Sequence, residues 1–300
     1  MSNNLALIKK LRDATGCGIA DCNKALLENN SDFEKSVDWL RKKGLSSASK
    51  KTSRVASEGV VAVAVNNKKA VIIEVNSETD FVAKNPTFQQ FVLSLSKTAL
   101  TYSDFEKLKT DSDTNIKEQI AIIGENIQFR RMANLEVANG VVVSYIHNQI
   151  APQMGKIAVL VGIESSCNNL DDLQELGKQI AMHIAATKPD ALNIENVDPA
   201  KLNREIDILK EQAKASGKPE NIIEKMLEGR IRKYYEEVVL LEQNFVMDDK
   251  LKIKDLLNNF SSKNNAKTTI ADFKFFILGD GIEKVANNFA EEVASMTKNQ

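Results

Sequence analysis

The chain has 300 residues, of which 43% are hydrophobic and 27% charged, a globular composition long enough for two or three domains. The net charge of −1 argues against a protein that coats nucleic acid, and the absence of an 18-residue apolar run predicts no membrane-spanning helix. Three cysteines, an odd number without a CxxC motif, disfavour a disulfide framework and a four-ligand zinc site. Residues 1–10 show no signal-peptide pattern, so we expect a cytoplasmic protein.

Residues 1–55 are predicted to form a small three-helix domain with a basic linker. Ser31 and Glu34 form a capping box for the third helix, and Gly44 is expected to end it. Residues 46–57 are polar and rich in serine, which is typical of a linker. Residues 41–54 hold six Lys or Arg and no acid. This basic stretch leaves open an alternative function as a ribosome- or RNA-binding module.

An internal repeat follows, in which two apolar strands and a helix return about 81 residues later. The first unit has strands at 60–65 and 70–75 and a helix from Asn85 to about Leu100; the second has strands at 141–146 and 157–163 and a helix at 170–186. We therefore predict an α+β fold with two similar β-β-α core subdomains. These are assigned to residues 56–139 and to residues 140–190 with 242–278.

The last third of the chain is predicted to add two helical modules. Apolar spacing over 199–215 and 220–241 indicates an antiparallel coiled-coil hairpin, inserted as residues 191–241. A final strand over 268–278 leads to a turn at Gly279, Asp280 and Gly281. A closing helix over 282–296 then completes a C-terminal helical module of residues 279–300.

Sequence motifs for catalysis are missing. The Gly-Lys pairs at 155, 177 and 217 do not continue to Ser or Thr, as a phosphate-binding loop requires. Neither histidine belongs to a zinc-protease motif. We therefore expect no catalytic residue, no cofactor and no metal ligand. A concealed cysteine nucleophile at Cys17, Cys22 or Cys167 remains the enzymatic alternative.

The most informative segment is 76–85, where an acid and an aromatic residue, Asp80 and Phe81, share a polar loop. In one interpretation Phe81 folds back over its own core. In the other it is exposed on a stiff sheet edge and anchors a partner protein. The second repeat has 164–168 at the equivalent place and no aromatic residue, which favours the partner-binding interpretation.

Several motifs together resemble the bacterial translation elongation factor Ts family, over nearly the whole chain and in order. They are Leu11-Arg12 with Thr15-Gly16-Cys17-Gly18 and Asp21-Cys22-Asn23-Lys24-Ala25-Leu26, Glu74-Val75-Asn76 with Thr79-Asp80-Phe81-Val82-Ala83-Lys84, Ile123-Gly124-Glu125-Asn126-Ile127 with Arg130-Arg131, and Gly279-Asp280-Gly281-Ile282-Glu283-Lys284.

The resemblance implies a UBA-like first domain and a guanine-nucleotide exchange factor for elongation factor Tu that disturbs the bound magnesium. It places the main contact on Thr79, Asp80, Phe81 and Val82, and secondary contacts on His147, on Asp21, Cys22, Asn23 and Lys24, and on Gly279, Asp280, Gly281 and Ile282. We expect no membrane and no direct nucleic-acid partner, and a possible homodimer through the helical hairpin. One departure from the family is expected after His147, where residues 148–155, with Pro152, are interpreted as a longer loop.

Overall fold

The first three helices, α1 (Ser2–Thr15), α2 (Ile19–Glu28) and α3 (Phe33–Lys51), pack around one small core. The computed structural model describes residues 2–215 and 220–283. The side chains in this core recur at helical spacing and come from all three helices: Leu11, Cys22, Ala25, Leu26 and Leu40. The prediction of three helices is confirmed, although the third is longer than expected.

Two details of the third helix were predicted wrongly. Its N-cap is Asp32, whose carboxylate accepts the Lys35 N–H, and Ser31 lies outside the helix with a φ of 60°. Gly44 does not end the helix, which continues to Lys51. Its backbone instead faces α6 (Phe105–Ile123) so closely that a Cβ at position 44 would lie 2.7 Å from the Ala121 Cβ. Gly44 therefore serves close helix packing, and the linker begins only after Lys51.

The first repeat unit contains β1 (Glu58–Asn66), β2 (Lys69–Ser77), α4 (Asp80–Ala83) and α5 (Pro86–Ala99). Asn85 caps α5 by accepting the Thr87 N–H, and Pro86 occupies its first position. Helix α6 ends at Gly124, which has a φ of 90°, and β3 (Ile127–Glu136) follows. Only α4 was not predicted, since residues 76–85 were interpreted as a loop.

The second repeat unit contains β4 (Gly140–Ala151), β5 (Met154–Ser165) and α7 (Leu170–Thr187). The expected longer loop over 148–155 is wrong. Strands β4 and β5 continue to the pair Ala151 and Met154, so that only Pro152 and Gln153 form the turn. Gln153 adopts a φ of 65°, the left-handed conformation that such a tight turn requires.

Three α-helices, a small strand pair and a last sheet strand complete the described chain. Helices α8 (Pro199–Ala215) and α9 (Glu220–Val238) form the predicted hairpin, with Leu202 and Tyr234 packed at its base. A small strand pair, β6 (Asn244–Phe245) and β7 (Asp248–Lys252), and α10 (Ile253–Asn264) were not predicted. Strand β8 (Thr268–Ile277) follows, and the helix predicted over 282–296 lies outside the described residues apart from its first two positions.

In the described ranges, six strands form one antiparallel sheet in the order β3-β2-β1-β5-β4, with β8 also paired to β5. Strands β1 and β5 meet only at Met154 and Gly155, so both repeat units share a single curled sheet. The fold is α+β, as predicted. The proposed division into two core subdomains remains a prediction.

Both faces of the sheet are covered, which explains the nearly continuous apolar runs in the sequence. Alternate side chains of β1 pack on opposite sides, with Val60 and Ala62 against α5 and α6, and Val61 and Val63 against the other half of the sheet. The outer face of β4, β5 and β8 packs against α7 and α10. This double burial makes the ends of β2 a stiff base for the segment that follows.

Candidate functional site: an exposed phenylalanine on a rooted turn

The segment after β2 is a single helical turn with its aromatic residue outward. Phe81 is 77% exposed, whereas its neighbours Val82 and Ala83 are buried in the core beneath β1 and α5. The interpretation of Phe81 as a plug over its own core is therefore wrong. Burying a phenylalanine side chain is worth about 2 kcal/mol, so an isolated phenyl ring this exposed beside a packed core is a candidate anchor for a partner.

The turn is fixed at its beginning by an acid from the connection between α6 and β3. The carboxylate of Glu125 accepts both the Thr79 N–H at 2.9 Å and the Thr79 hydroxyl at 2.6 Å. In return, the carboxylate of Glu78 accepts the Asn126 N–H at 2.6 Å. Two short segments that are distant in sequence thus exchange hydrogen bonds next to Phe81, and hydrogen bonds to charged groups are stronger than neutral ones.

Asp80 lies on the surface of the same turn. Its carboxylate is 3.3 Å from the Lys84 ammonium, and both side chains are mostly exposed. Such an exposed pair contributes little to stability. Asp80 is therefore free to exchange Lys84 for another cationic or hydrogen-bonding group on a partner, while the buried Val82 anchors the turn and offers no side-chain contact.

His147 is exposed on the edge strand β4. Its Nδ1 lies 3.2 Å from the hydroxyl of Tyr145, and its backbone pairs with Ile157 of β5. No hydrogen bond, ion pair or ring contact between described residues joins His147 directly to the turn at 79–82. His147 and the turn are connected through strand β1. At one end of the connection, Gly155 of β5 pairs with Val61 of β1. Three residues before Val61, Glu58 pairs with Ser77, which lies two residues before the start of the turn.

The four predicted positions of α2 differ in accessibility. Asp21 and Lys24 are exposed, and the Asp21 carboxylate is 2.6 Å from the Lys43 ammonium. Asn23 is half-buried. Cys22 is fully buried among the three helices, and burial raises the pKa of its thiol. The Cys22 side chain is thus a core residue, and it supports neither a partner contact nor a reactive thiolate.

The turn at Gly279–Gly281 is held by a charge cluster around the buried Glu74. Gly279 donates its N–H to Glu74 Oε1 at 2.9 Å, and Arg130 donates to the carbonyl of Asp280. Gly279 has a φ of 71°, and a Cβ there would lie 2.6 Å from the carbonyl oxygen of Ser57, so only glycine fits. Ile282 is half-buried at the end of this turn.

Glu74 organises that cluster from the middle of β2. It is fully buried and accepts hydrogen bonds from Arg130, Arg131 and Asn76. Successive strand residues normally point to opposite faces. Here Glu74 pairs with Arg131 and Val75 with Phe129, so Arg130 is an extra, bulged residue and both arginines reach the same carboxylate.

Comparison with known proteins identifies the family. A family model described as Elongation factor TS matches residues 78–280, more than half of the chain. Elongation factor Ts of Rhodospirillum centenum is 52% identical over 300 residues, with 97% of both chains covered. That of Rickettsia felis is 45% identical over 300 residues, with 98% of this chain and 97% of the relative covered.

The chain belongs to the elongation factor Ts family.

Within this member of the family, the sequence predicted Phe81 as a candidate partner contact but did not point to several other candidate residues. Ile19 and Leu27 are exposed apolar residues of α2 that lie on one face with Asn23, a four-residue spacing that could have drawn attention to them. The hydrogen bonds from Thr79 to Glu125 gave no local sequence signal, because the two residues are 46 positions apart. Glu74 could have been noticed as the one charge in the apolar run at 70–75.

No group of three or more His, Cys, Asp or Glu residues in ranges 2–215 and 220–283 is arranged to hold a metal ion. No helix in the same ranges is long and apolar enough to cross a membrane.

Proposed function

We propose that this chain is a guanine-nucleotide exchange factor for elongation factor Tu and acts in the cytoplasm, without a catalytic residue or cofactor of its own. The observation that carries the proposal is the exposed ring of Phe81 on a turn anchored by Val82 and Ala83. The family resemblance assigns the main contact to Thr79, Asp80, Phe81 and Val82. Of these four, Asp80 and Phe81 present side chains to a partner.

In this proposal, Asp80 and Phe81 enter the GTPase near its nucleotide and disturb the bound magnesium. An exchange factor that binds the nucleotide-free GTPase more tightly than the GDP-bound form must weaken GDP binding by the same factor. Such a mechanism needs differential contacts between two states of the partner and no bond-making chemistry. We call the turn that presents Asp80 and Phe81 the wedge. A rigid wedge suits this mechanism, because a flexible one would lose conformational entropy on insertion.

The secondary contacts are proposed at the exposed parts of the predicted surfaces. These are His147 on β4, Asp21 and Lys24 on α2, and the turn at Gly279–Gly281 with Ile282. The alternative of an RNA-binding module is disfavoured by the net charge of −1. Arg41, Lys43 and Arg54 of the basic stretch form exposed ion pairs with Glu118, Asp21 and Glu78, which are weak and carry no argument either way.

The direct test is the release of fluorescently labelled GDP from elongation factor Tu into excess unlabelled GDP. We expect catalytic amounts of this chain to accelerate release strongly, and excess unlabelled GDP to compete with the exchange factor for the GTPase. A release rate that stays at its spontaneous value over all concentrations of the chain would refute the exchange function.

A homodimer through the helical hairpin is proposed as a separate property. Ile208 of α8 and Ile222 of α9 are exposed apolar residues of the hairpin. Light scattering of the chain, alone and with elongation factor Tu, tests this proposal. A dimer should have twice the mass of one chain, and Ile208→Lys should reduce that mass to the mass of a monomer. A monomeric mass for the wild-type chain would contradict the dimer.

A further inference from the structure

We propose that Glu125 is a positioning residue for Phe81, and that it sets the rate of nucleotide release although it does not itself enter the partner's nucleotide site. This inference rests on the proposed exchange function. It goes further by assigning the orientation of the wedge to a carboxylate from the connection between α6 and β3.

The first support is the double hydrogen bond to Thr79. Thr79 is the residue before α4, where a threonine hydroxyl ordinarily caps the helix. Here it makes no such cap, and its hydroxyl and N–H both point to the two oxygens of Glu125. A carboxylate can accept both bonds at once because both of its oxygens are acceptors.

The second support is the way Glu125 is itself held. It follows Gly124, whose left-handed backbone ends α6, and precedes the buried Asn126. The Asn126 side chain donates to the carbonyl of Arg54 at 2.7 Å, and its N–H donates to Glu78. The carboxylate of Glu125 therefore projects from a backbone that is fixed on both sides, and its two hydrogen bonds hold Thr79 in place.

The third support is the position of Phe81 relative to these bonds. Glu125 fixes Thr79 at the start of the turn, and the buried Val82 and Ala83 fix its end. Only Asp80 and Phe81 lie between the two anchors. With Glu125 removed, Val82 would still anchor the end of the turn and the Ser77 hydroxyl would still donate to the Thr79 carbonyl at 2.9 Å, but the Thr79 N–H and hydroxyl would lose their acceptor, and the Phe81 side chain would be less tightly oriented.

The same structure contains a matched control. Glu164, at the end of β5 in the second repeat unit, is likewise half-buried and accepts two hydrogen bonds, from the N–H groups of Ala138 and Asn139 at 2.7 and 3.0 Å. It holds a turn that carries no exposed aromatic residue. Glu164→Ala should therefore destabilise the chain as much as Glu125→Ala does, without acting on Phe81.

The experiment measures stimulated GDP release from elongation factor Tu over a range of exchange-factor concentrations, with the thermal midpoint of every variant. We expect Glu125→Ala to lower the maximal release rate by about three- to tenfold with little change in the half-saturating concentration, because the remaining surface still binds. Thr79→Val, which keeps the N–H and loses only the hydroxyl bond to Glu125, should have a smaller effect than Glu125→Ala. Glu164→Ala should leave the maximal rate unchanged.

A double variant distinguishes positioning from an independent contact. If Glu125 acts through Phe81, adding Glu125→Ala to Phe81→Ala should slow release no further than Phe81→Ala alone. A multiplicative loss, a wild-type maximal rate for Glu125→Ala, or equal slowing by Glu164→Ala would each overturn the role of Glu125. A wild-type rate for Phe81→Ala would instead overturn the proposed wedge, and the positioning role with it.

Discussion

Among single residues, Glu74 is in the most demanding environment, because its carboxylate is fully buried in the sheet. Two arginines and the Gly279 N–H neutralise and solvate it. Arg130 and Arg131 remain partly exposed, so the cluster spans from the core to the surface. Such a carboxylate is tolerated only with all its partners in place.

Glu74→Gln is therefore expected to destabilise the chain by about 3 kcal/mol, because removing one member of a buried ion cluster leaves the others unpaired. Urea denaturation measures the change in the free energy of unfolding. Glu136→Gln, at an exposed position of the neighbouring strand β3, is the control and should change stability by less than about 0.5 kcal/mol. Equal effects of the two substitutions would contradict a structural role for the buried cluster.

The order of residues explains why this cluster was not predicted. The adjacent Arg130 and Arg131 in an ordinary strand would point to opposite faces. Only the bulge at Arg130 turns both toward Glu74, and a bulge depends on the partner strand, which a single sequence does not identify. Phe81 was found because an aromatic residue in a polar segment is a local signal, whereas its outward orientation required the structure.

At the scale of elements, α7 is joined to the β6–β7 turn by a buried histidine. His183 Nδ1 accepts the Val246 N–H at 3.3 Å, so the ring proton is assigned to Nε2, which lies 2.9 Å from Gln243 Oε1. Burial lowers the pKa of His183 below its ordinary value of 6.5. The neutral imidazole thus positions a turn that sequence analysis did not predict.

This histidine predicts a pH dependence of stability. Since the pKa of His183 is lower in the folded chain than in the unfolded chain, the unfolded state binds more protons below pH 6.5. The free energy of unfolding should therefore fall as the pH drops through this range, and this contribution should be constant above it. Comparing urea denaturation of the wild type with that of His183→Gln, from about pH 5 to pH 8, isolates the effect. Parallel pH profiles would contradict it.

Strand and helix positions were largely predictable where burial is two-sided. The runs at 60–65 and 157–163 are apolar because both sheet faces are covered, and each lies within an observed strand. Gly44 was misjudged because a glycine that admits a neighbouring helix has the same sequence signal as one that ends a helix. Helix α10 was missed because its few apolar residues are separated by Lys, Asp and Asn.

For the molecule as a whole, the sheet combines the two repeat units into one body. Pairing between β1 and β5 could not be predicted, since it joins residues more than 90 positions apart through only two residue pairs. The turn at 79–83 packs through Val82 and Ala83 on a core that also includes Met154 of the second unit. The whole fold therefore supports a small exposed surface, which is the organisation that a wedge-like exchange factor requires.

The most direct measurement of this account is GDP release from elongation factor Tu stimulated by Phe81→Ala, beside Leu170→Ala, which truncates another exposed apolar residue at the start of α7. We predict that Phe81→Ala slows the maximal stimulated rate by at least about tenfold, equivalent to about 1.4 kcal/mol, while its thermal midpoint stays at the wild-type value. Leu170→Ala should retain the wild-type rate. The account would be contradicted if Phe81→Ala stimulated GDP release from elongation factor Tu as fast as the wild type does.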